Sequence, residues 1–292
     1  AKAIDEAQLD DAQKFERDYL IQVMEGELFW LEEADEPHLN PDYYVGQLDP
    51  NVYVARPYAD AETRMKAFIA YANNVPKAAE QIKANLKLPL PQSFIKYGQA
   101  GFGGFAEYYK GDAKAAFAEV KDEELQRQFD EATTKAAAAM NDLSAYIGSK
   151  PGTPGGFALG AEKFSHMVLK TEGVNVSLDE LEAIGRADLK RNQDALKTAC
   201  ATFAPGATLK ACMQKMGANK AADGPVAEAR RQLPPLKQFL LDKALVSIPG
   251  TEEALVEESP PYNRQNSAYI DIPGPYEKGL PSVYYISPPD PS

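Results

Sequence analysis

The side chains best suited to chemistry here are two histidines, two cysteines and a C-terminal run of phenols. Neither His38, in EPHLNPD, nor His166, in KFSHMVL, begins an HExxH or any other metal-ligand spacing. A zinc site built from them would need carboxylates from distant segments; as a loop and a helix histidine they read as ordinary surface or hydrogen-bonded side chains. Ser93 and Lys96 match SxxK, in which a lysine one helical turn away takes the serine proton. The supporting pieces are absent: there is no SDN, and Lys170-Thr171-Glu172 has glutamate where a KTG motif has glycine. A solvated helical face is the better reading, and no GxSxG elbow is present. The cluster GQAGFGGF (residues 98–105) follows a helical pattern and is not followed by GK[ST], which rejects a phosphate loop. It reads as close helix packing or as a break lining a cleft. The pairs Glu32-Glu33, Glu123-Glu124 and Glu257-Glu258 are adjacent, so on a helix they do not face each other and belong to solvated surface. No catalytic residue and no metal ligand is assigned.

The C-terminal segment gathers Tyr262, Arg264, Tyr269, Tyr276, Tyr284 and Tyr285 on strands and turns. Phenols on a strand orient a peptide, and an exposed strand edge pairs with an extended one; the plainer reading is that these aromatics cover the helical core. Cys200 and Cys212 flank a turn at Pro205-Gly206 in TACATFAPGATLKACMQKM. An αα-hairpin there can bring the thiols within bonding distance. In an oxidising compartment the closed loop stabilises by roughly 2–3 kcal/mol; in the cytosol the pair stays as two buried thiols.

Positioning these residues falls to helices. From residue 11 to about residue 246 apolar residues recur at helical spacing. Phe15, Tyr19 and Val23, with Leu20, Met24 and Leu28, give a first helix an apolar face that needs partner helices and runs through Trp30. Asp60 is a candidate N-cap for a helix to Leu86, kinked near Pro76 and ended by Pro89 and Pro91. Further helices are expected over residues 92–110 and 122–148. In VSLDEL, Ser177 and Glu180 form a capping box for a helix reaching Phe203, with Leu178, Leu181, Ile184 and Leu189 facing inward. A last helix covers residues 225–246, bent at Pro234-Pro235. Composition then changes: nine of the 22 prolines lie at or beyond Pro249, and residues 254–258, 268–272 and 282–286 read as short strands. The expectation is a mainly α fold, a multi-helix bundle-like array over residues 1–247 with a Pro/Tyr-rich short-strand segment over 248–292.

Hydrophobic residues make up 44% and charged ones 25% of the 292, enough for a sizeable core. With 43 acidic against 31 basic side chains the net charge is -12, which disfavours nucleic acid and anionic membrane as partners. No apolar stretch approaches the ~20 residues that span a bilayer. The acidic start lacks the regions of a signal peptide, as in a cytoplasmic protein or an exported one after signal removal.

The run NRQNSAYIDIPGPYEKGLPSVYYISPPDPS (residues 263–292) resembles the segment just before the metal motif in a bacterial family known as domain of unknown function 885. ALGAEKFSHMVLKTEGVNVSLDELEAIGRADLKRNQ (residues 158–193) and the cysteines around APG are also similar to it. Complete members resemble gluzincin metallopeptidases, in which two histidines of an HExxH helix and a downstream glutamate hold zinc. The resemblance implies the helical N-terminal part of a zinc-dependent peptidase, ending before HExxH and inactive alone, with zinc expected only in a complete protein and a peptide substrate engaged through the missing part. It implies that residues 282–286 lie near the substrate cleft, with Tyr284, Tyr285, Tyr269 and Arg264 as contacts. It also favours a Cys200–Cys212 disulfide and a periplasmic or secreted location over a cytoplasmic one. The alternative is a non-catalytic helical binding or scaffold protein of the cell envelope.

Overall fold

The computed structural model describes residues 1–248 and 250–289; Pro249 and residues 290–292 of the expected C-terminal segment lie outside the described residues. In chain order the helices are α1 (Asp11–Leu28), α2 (Glu36–Leu39), α3 (Tyr43–Gln47), α4 (Asn51–Ala55), α5 (Ala61–Asn85), α6 (Gln92–Lys110), α7 (Asp112–Ala116), α8 (Glu123–Gly148), α9 (Ala161–Glu172), α10 (Leu178–Phe203), α11 (Leu209–Gly217) and α12 (Gly224–Lys243). The strands are β1 (Leu90–Pro91), β2 (Gly152–Thr153), β3 (Leu255–Glu258), β4 (Ala268–Asp271) and β5 (Val283–Ile286). The fold is mainly α, with the three C-terminal strands where the sequence places them.

The chain divides into two units: Ala1–Pro37 with Phe157–Asn219, and His38–Gly156 with Lys220–Ser292. The compositional change after residue 247 falls within the second unit.

In the first unit α1 starts with a reciprocal cap, in which Asp10 accepts from the Gln13 N–H and Gln13 returns a bond to the Asp10 N–H. It meets α9 at Gly26, where an added Cβ would sit 3.4 Å from the Lys170 carbonyl oxygen. Lys170 and Lys2 both bind Glu25, holding its carboxyl down at about 2. The helix does not run on as α through Trp30: a π turn over Phe29–Glu33 inserts an extra residue and turns Phe29 inward. The expected covering of the α1 stripe is not seen, since Phe15 stays 71% exposed and Tyr19, Leu20 and Met24 are exposed too. Likewise Ile184 and Leu189 on α10 are exposed, whereas Leu178 and Leu181 are half-buried. Spacing marks the apolar face of a helix but does not say what covers it. Ser177 does cap α10, accepting from the Glu180 N–H. Cys200 and Cys212 are joined in a disulfide that ties α10 to α11 across 12 residues.

In the second unit α5 and α6 pack on α8. Asp60 and Asp122 cap α5 and α8 by accepting from Thr63 and Leu125 N–H groups, and α5 runs through Pro76. Phe68, Phe117 and Phe129 meet with centroids 5.4–5.6 Å apart and are all buried. The glycines of α6 serve close approach rather than a break: Gly98 and Gly101 face Pro41 and Val45, and Gly104 faces the backbone of Pro261 and Tyr262. In the C-terminal sheet the order is β3-β5-β4, with β5 parallel to β3 and antiparallel to β4.

A Cβ at residue 104 would lie 2.5 Å from the Pro261 carbonyl oxygen and 2.6 Å from the Tyr262 Cα, and backbone cannot step aside as a side chain can. Gly104→Ala is therefore expected to cost about 1–3 kcal/mol in denaturant unfolding; an unchanged midpoint would count against this contact. Reducing the disulfide is expected to cost about 2–3 kcal/mol, read as a lower melting midpoint, with the unreduced protein two hydrogens lighter by mass spectrometry.

Candidate functional site: a polar cleft beside strand β4

Tyr262, in a short 3-10 turn (Pro261–Asn263), is only 1% exposed and stacks on Phe105 with centroids 4.3 Å apart, while Tyr108 meets it edge-on at 5.3 Å. Its hydroxyl donates to Asp49 Oδ1 at 2.6 Å, and the same oxygen accepts from the Asn51 N–H at 2.8 Å. Burial raises the Asp49 pKa above the ordinary aspartate range, offset in part by those two donors. Nearby, Tyr71 donates to the Leu48 carbonyl at 2.5 Å, so the Tyr109 hydroxyl, 2.8 Å away, donates to Tyr71.

From this anchor α4 reaches the sheet. Asn51 Nδ2 donates to the Tyr285 hydroxyl at 3.2 Å and to Asp271 Oδ2 at 3.4 Å. Arg56, its side chain 12% exposed, donates to Asp271 Oδ1 (2.6 Å), the Ile272 carbonyl (2.8 Å) and Glu277 Oε2 (3.1 Å). Asp49, Asn51, Arg56, Tyr269, Asp271 and Glu277 line a cleft of about 340 Å³ together with Val52 and Ile270. A larger hollow along α5, about 490 Å³ and lined by apolar residues with Tyr53, Tyr71 and Asn74, lacks such convergent charge.

The sheet's hydrogen-bond parity defines the edge of this cleft. The Ser287 N–H donates to the Ser267 carbonyl, so in the antiparallel ladder residues 267, 269 and 271 bond to β5 while Ala268 and Ile270 turn their N–H and C=O groups outward. β5 is saturated on its other side by β3, whose Leu255 and Ser259 N–H groups donate to the Ser282 and Ile286 carbonyls. The outer edge of β3 is engaged by α12, from which Arg230 donates to the Val256 carbonyl. Among the described residues, Ala268 and Ile270 have no main-chain partner on the outer side. Chemically, the arrangement offers an open strand edge next to a charged, aromatic-walled pocket.

Of the residues singled out from sequence, Tyr269 and Tyr285 come together, stacked with centroids 5.0 Å apart on the cleft face. Tyr284 immediately precedes Tyr285 on the strand and so points to the opposite face. Arg264 lies elsewhere, bonding Glu258 and the Ser259 carbonyl, and Tyr276 is 94% exposed. Asp49, Asn51, Arg56, Asp271 and Glu277 carry no motif. His166 binds Glu33 Oε2 at 2.7 Å through Nδ1, and the His38 carbonyl accepts from the Lys87 N–H. Lys96 is exposed and not hydrogen-bonded to Ser93. Among the described residues no three His, Cys, Asp or Glu side chains are grouped so as to hold a metal, and both cysteine sulfurs are spent in the disulfide.

Because the folded state holds the Asp49 proton more tightly than the unfolded one, whose pKa is near 3.8, ionising it costs stability as pH rises through the folded value. Wild type should gain stability relative to Asp49→Asn as pH falls from 7 toward 4, read from urea midpoints; a pH-independent difference would contradict the buried carboxyl. Tyr262→Phe removes the donor and is expected to cost about 1–3 kcal/mol at pH 7.

A solved structure described as that of "a putative lipoprotein of unknown function from Shewanella oneidensis" superposes with a TM-score of 0.63 at 16% identity, over 100% of this chain and 55% of that one. The chain thus spans about half the length of that protein, and at this identity the likeness shows a shared fold. No curated protein matches the sequence significantly. The family described as "Bacterial protein of unknown function (DUF885)" matches residues 1–292, and the chain belongs to that family.

Proposed function

We propose that this chain supplies the helical walls and the substrate-binding strand of a zinc-dependent peptidase, with the metal-holding residues in a part of the protein beyond these 292 residues. The observation that carries the reading is the open outer edge of β4 beside a polar cleft. An extended peptide can add there as a further strand, bonding to the Ala268 and Ile270 main chain, as peptide-binding sheets do. Tyr269 contacts such a peptide and Tyr285 backs it. Tyr284 points to the other face of the sheet, and Arg264 is engaged by Glu258 and the Ser259 carbonyl. The resemblance of residues 263–292 to the segment preceding a gluzincin metal motif supports the same assignment, and the fold shared with a protein nearly twice as long is compatible with it.

A second reading, a non-catalytic binding or scaffold protein of the cell envelope, is favoured by the disulfide and by a structural neighbour described as a lipoprotein. Both readings place the protein in the periplasm or outside the cell. No helix of the described residues is long and apolar enough to cross a membrane.

The two readings separate in the gene. The reading frame is expected to continue past Ser292 into an HExxH helix; a stop codon there would overturn the peptidase assignment. The isolated chain is expected to contain no stoichiometric zinc by metal analysis. Zinc bound tightly by this chain alone would refute the division of labour.

A further inference from the structure

Resting on the peptide-binding reading, we propose that the cleft beside β4 selects a basic side chain, lysine or arginine, of the peptide that pairs with that strand. The placement follows from strand geometry. Successive side chains of an added strand alternate between the two sheet faces, and one set falls on the face that carries Tyr269, Asp271 and Tyr285. That face opens into the cleft bounded by Asn51 and Arg56 of α4 and its C-cap. The backbone of the added strand is held by Ala268 and Ile270, and Ile270, 55% exposed, adds an apolar rim to the cleft.

Charge then decides which side chain the cleft accepts. Among the described lining residues the one cation, Arg56, is already bound to Asp271, Glu277 and the Ile272 carbonyl, so it has little left to offer an anionic ligand. One guanidinium faces two carboxylates there, and Asp49 lines the same cleft. An arriving carboxylate meets this excess of negative charge, whereas an ammonium or guanidinium neutralises it. The aromatic wall works in the same direction, since the Tyr269 ring, fixed by its stack on Tyr285, presents a π face that attracts cations. The volume of about 340 Å³ is ample for one long side chain.

The test compares three fluorescein-labelled pentapeptides, Ala-Val-Lys-Val-Ala and its Glu-centred and Ala-centred counterparts, by fluorescence anisotropy on the wild-type chain at low salt. The lysine peptide is expected to bind at least tenfold more tightly than the glutamate peptide, with alanine between them. The lysine advantage is expected to shrink with added salt. N-methylation of the backbone should weaken all three alike. Glu277→Gln, at a partly exposed position whose loss spares the Arg56–Asp271 pair, is expected to reduce the Lys-to-Glu ratio several-fold, with the fold checked by circular dichroism. Equal binding of the three peptides, still sensitive to N-methylation, would overturn the basic-side-chain proposal and leave the strand-edge reading standing. No binding by any of them would overturn both.

Discussion

A phenol buried among helices joins the C-terminal segment to the core. Tyr262 lies against Phe105 and Tyr108, and its hydroxyl reaches Asp49. Burying a hydroxyl without a partner is costly, so the ring enters only where an acceptor waits at the end of its path. Asp49 is that acceptor, and its own desolvation is tolerated because the Tyr262 hydroxyl and the Asn51 amide both point at it. Each buried group thus depends on the other. The turn that begins α4 and the turn that carries Tyr262 are fixed in one stroke, and the cleft lies between what each of them leads to.

Arg56 performs the corresponding task at the cleft. A guanidinium offers five donors in a planar fork, and this one makes three bonds with them, to two carboxylates and a main-chain carbonyl of the segment around the end of β4. A lysine could neutralise one carboxylate but could not hold three acceptors in a plane. The result is a loop from Ile272 onward whose path is tied to α4 rather than to the sheet alone. The same interaction explains why the cleft is charged yet ordered: its ions restrain one another.

Much of the helical fold was legible because caps and apolar periodicity are local. Asp60, Asp122 and Ser177 cap the helices that their neighbouring sequence suggested. The glycines of GQAGFGGF were readable as small residues for close packing, although nothing in the sequence said that Gly104 would meet Tyr262. The cleft was only half legible. Tyr269 and Tyr285 stood out as phenols on a strand, but their polar neighbours Asn51 and Arg56 lie more than 200 residues earlier in the chain and have no periodic or motif signature. Arg264 was the visible guanidinium and Arg56 the one in the cleft, a distinction that only tertiary packing makes. The stripes on α1 and α10 were read correctly as apolar, but an apolar stripe does not name its cover.

The strand order has a consequence in time. β3 and β4 are made first, yet neither pairs with the other; among the described strands each pairs with β5. Two short strands without a common neighbour gain no ladder bonds while their ordering entropy is still owed. During synthesis, therefore, α5, α6 and α8 can assemble from local and mid-range contacts, but the sheet must wait for Val283–Ile286 to emerge. Until then Leu255–Glu258 and Ala268–Asp271 remain two unmatched segments, and the arrival of one four-residue strand converts both of them at once.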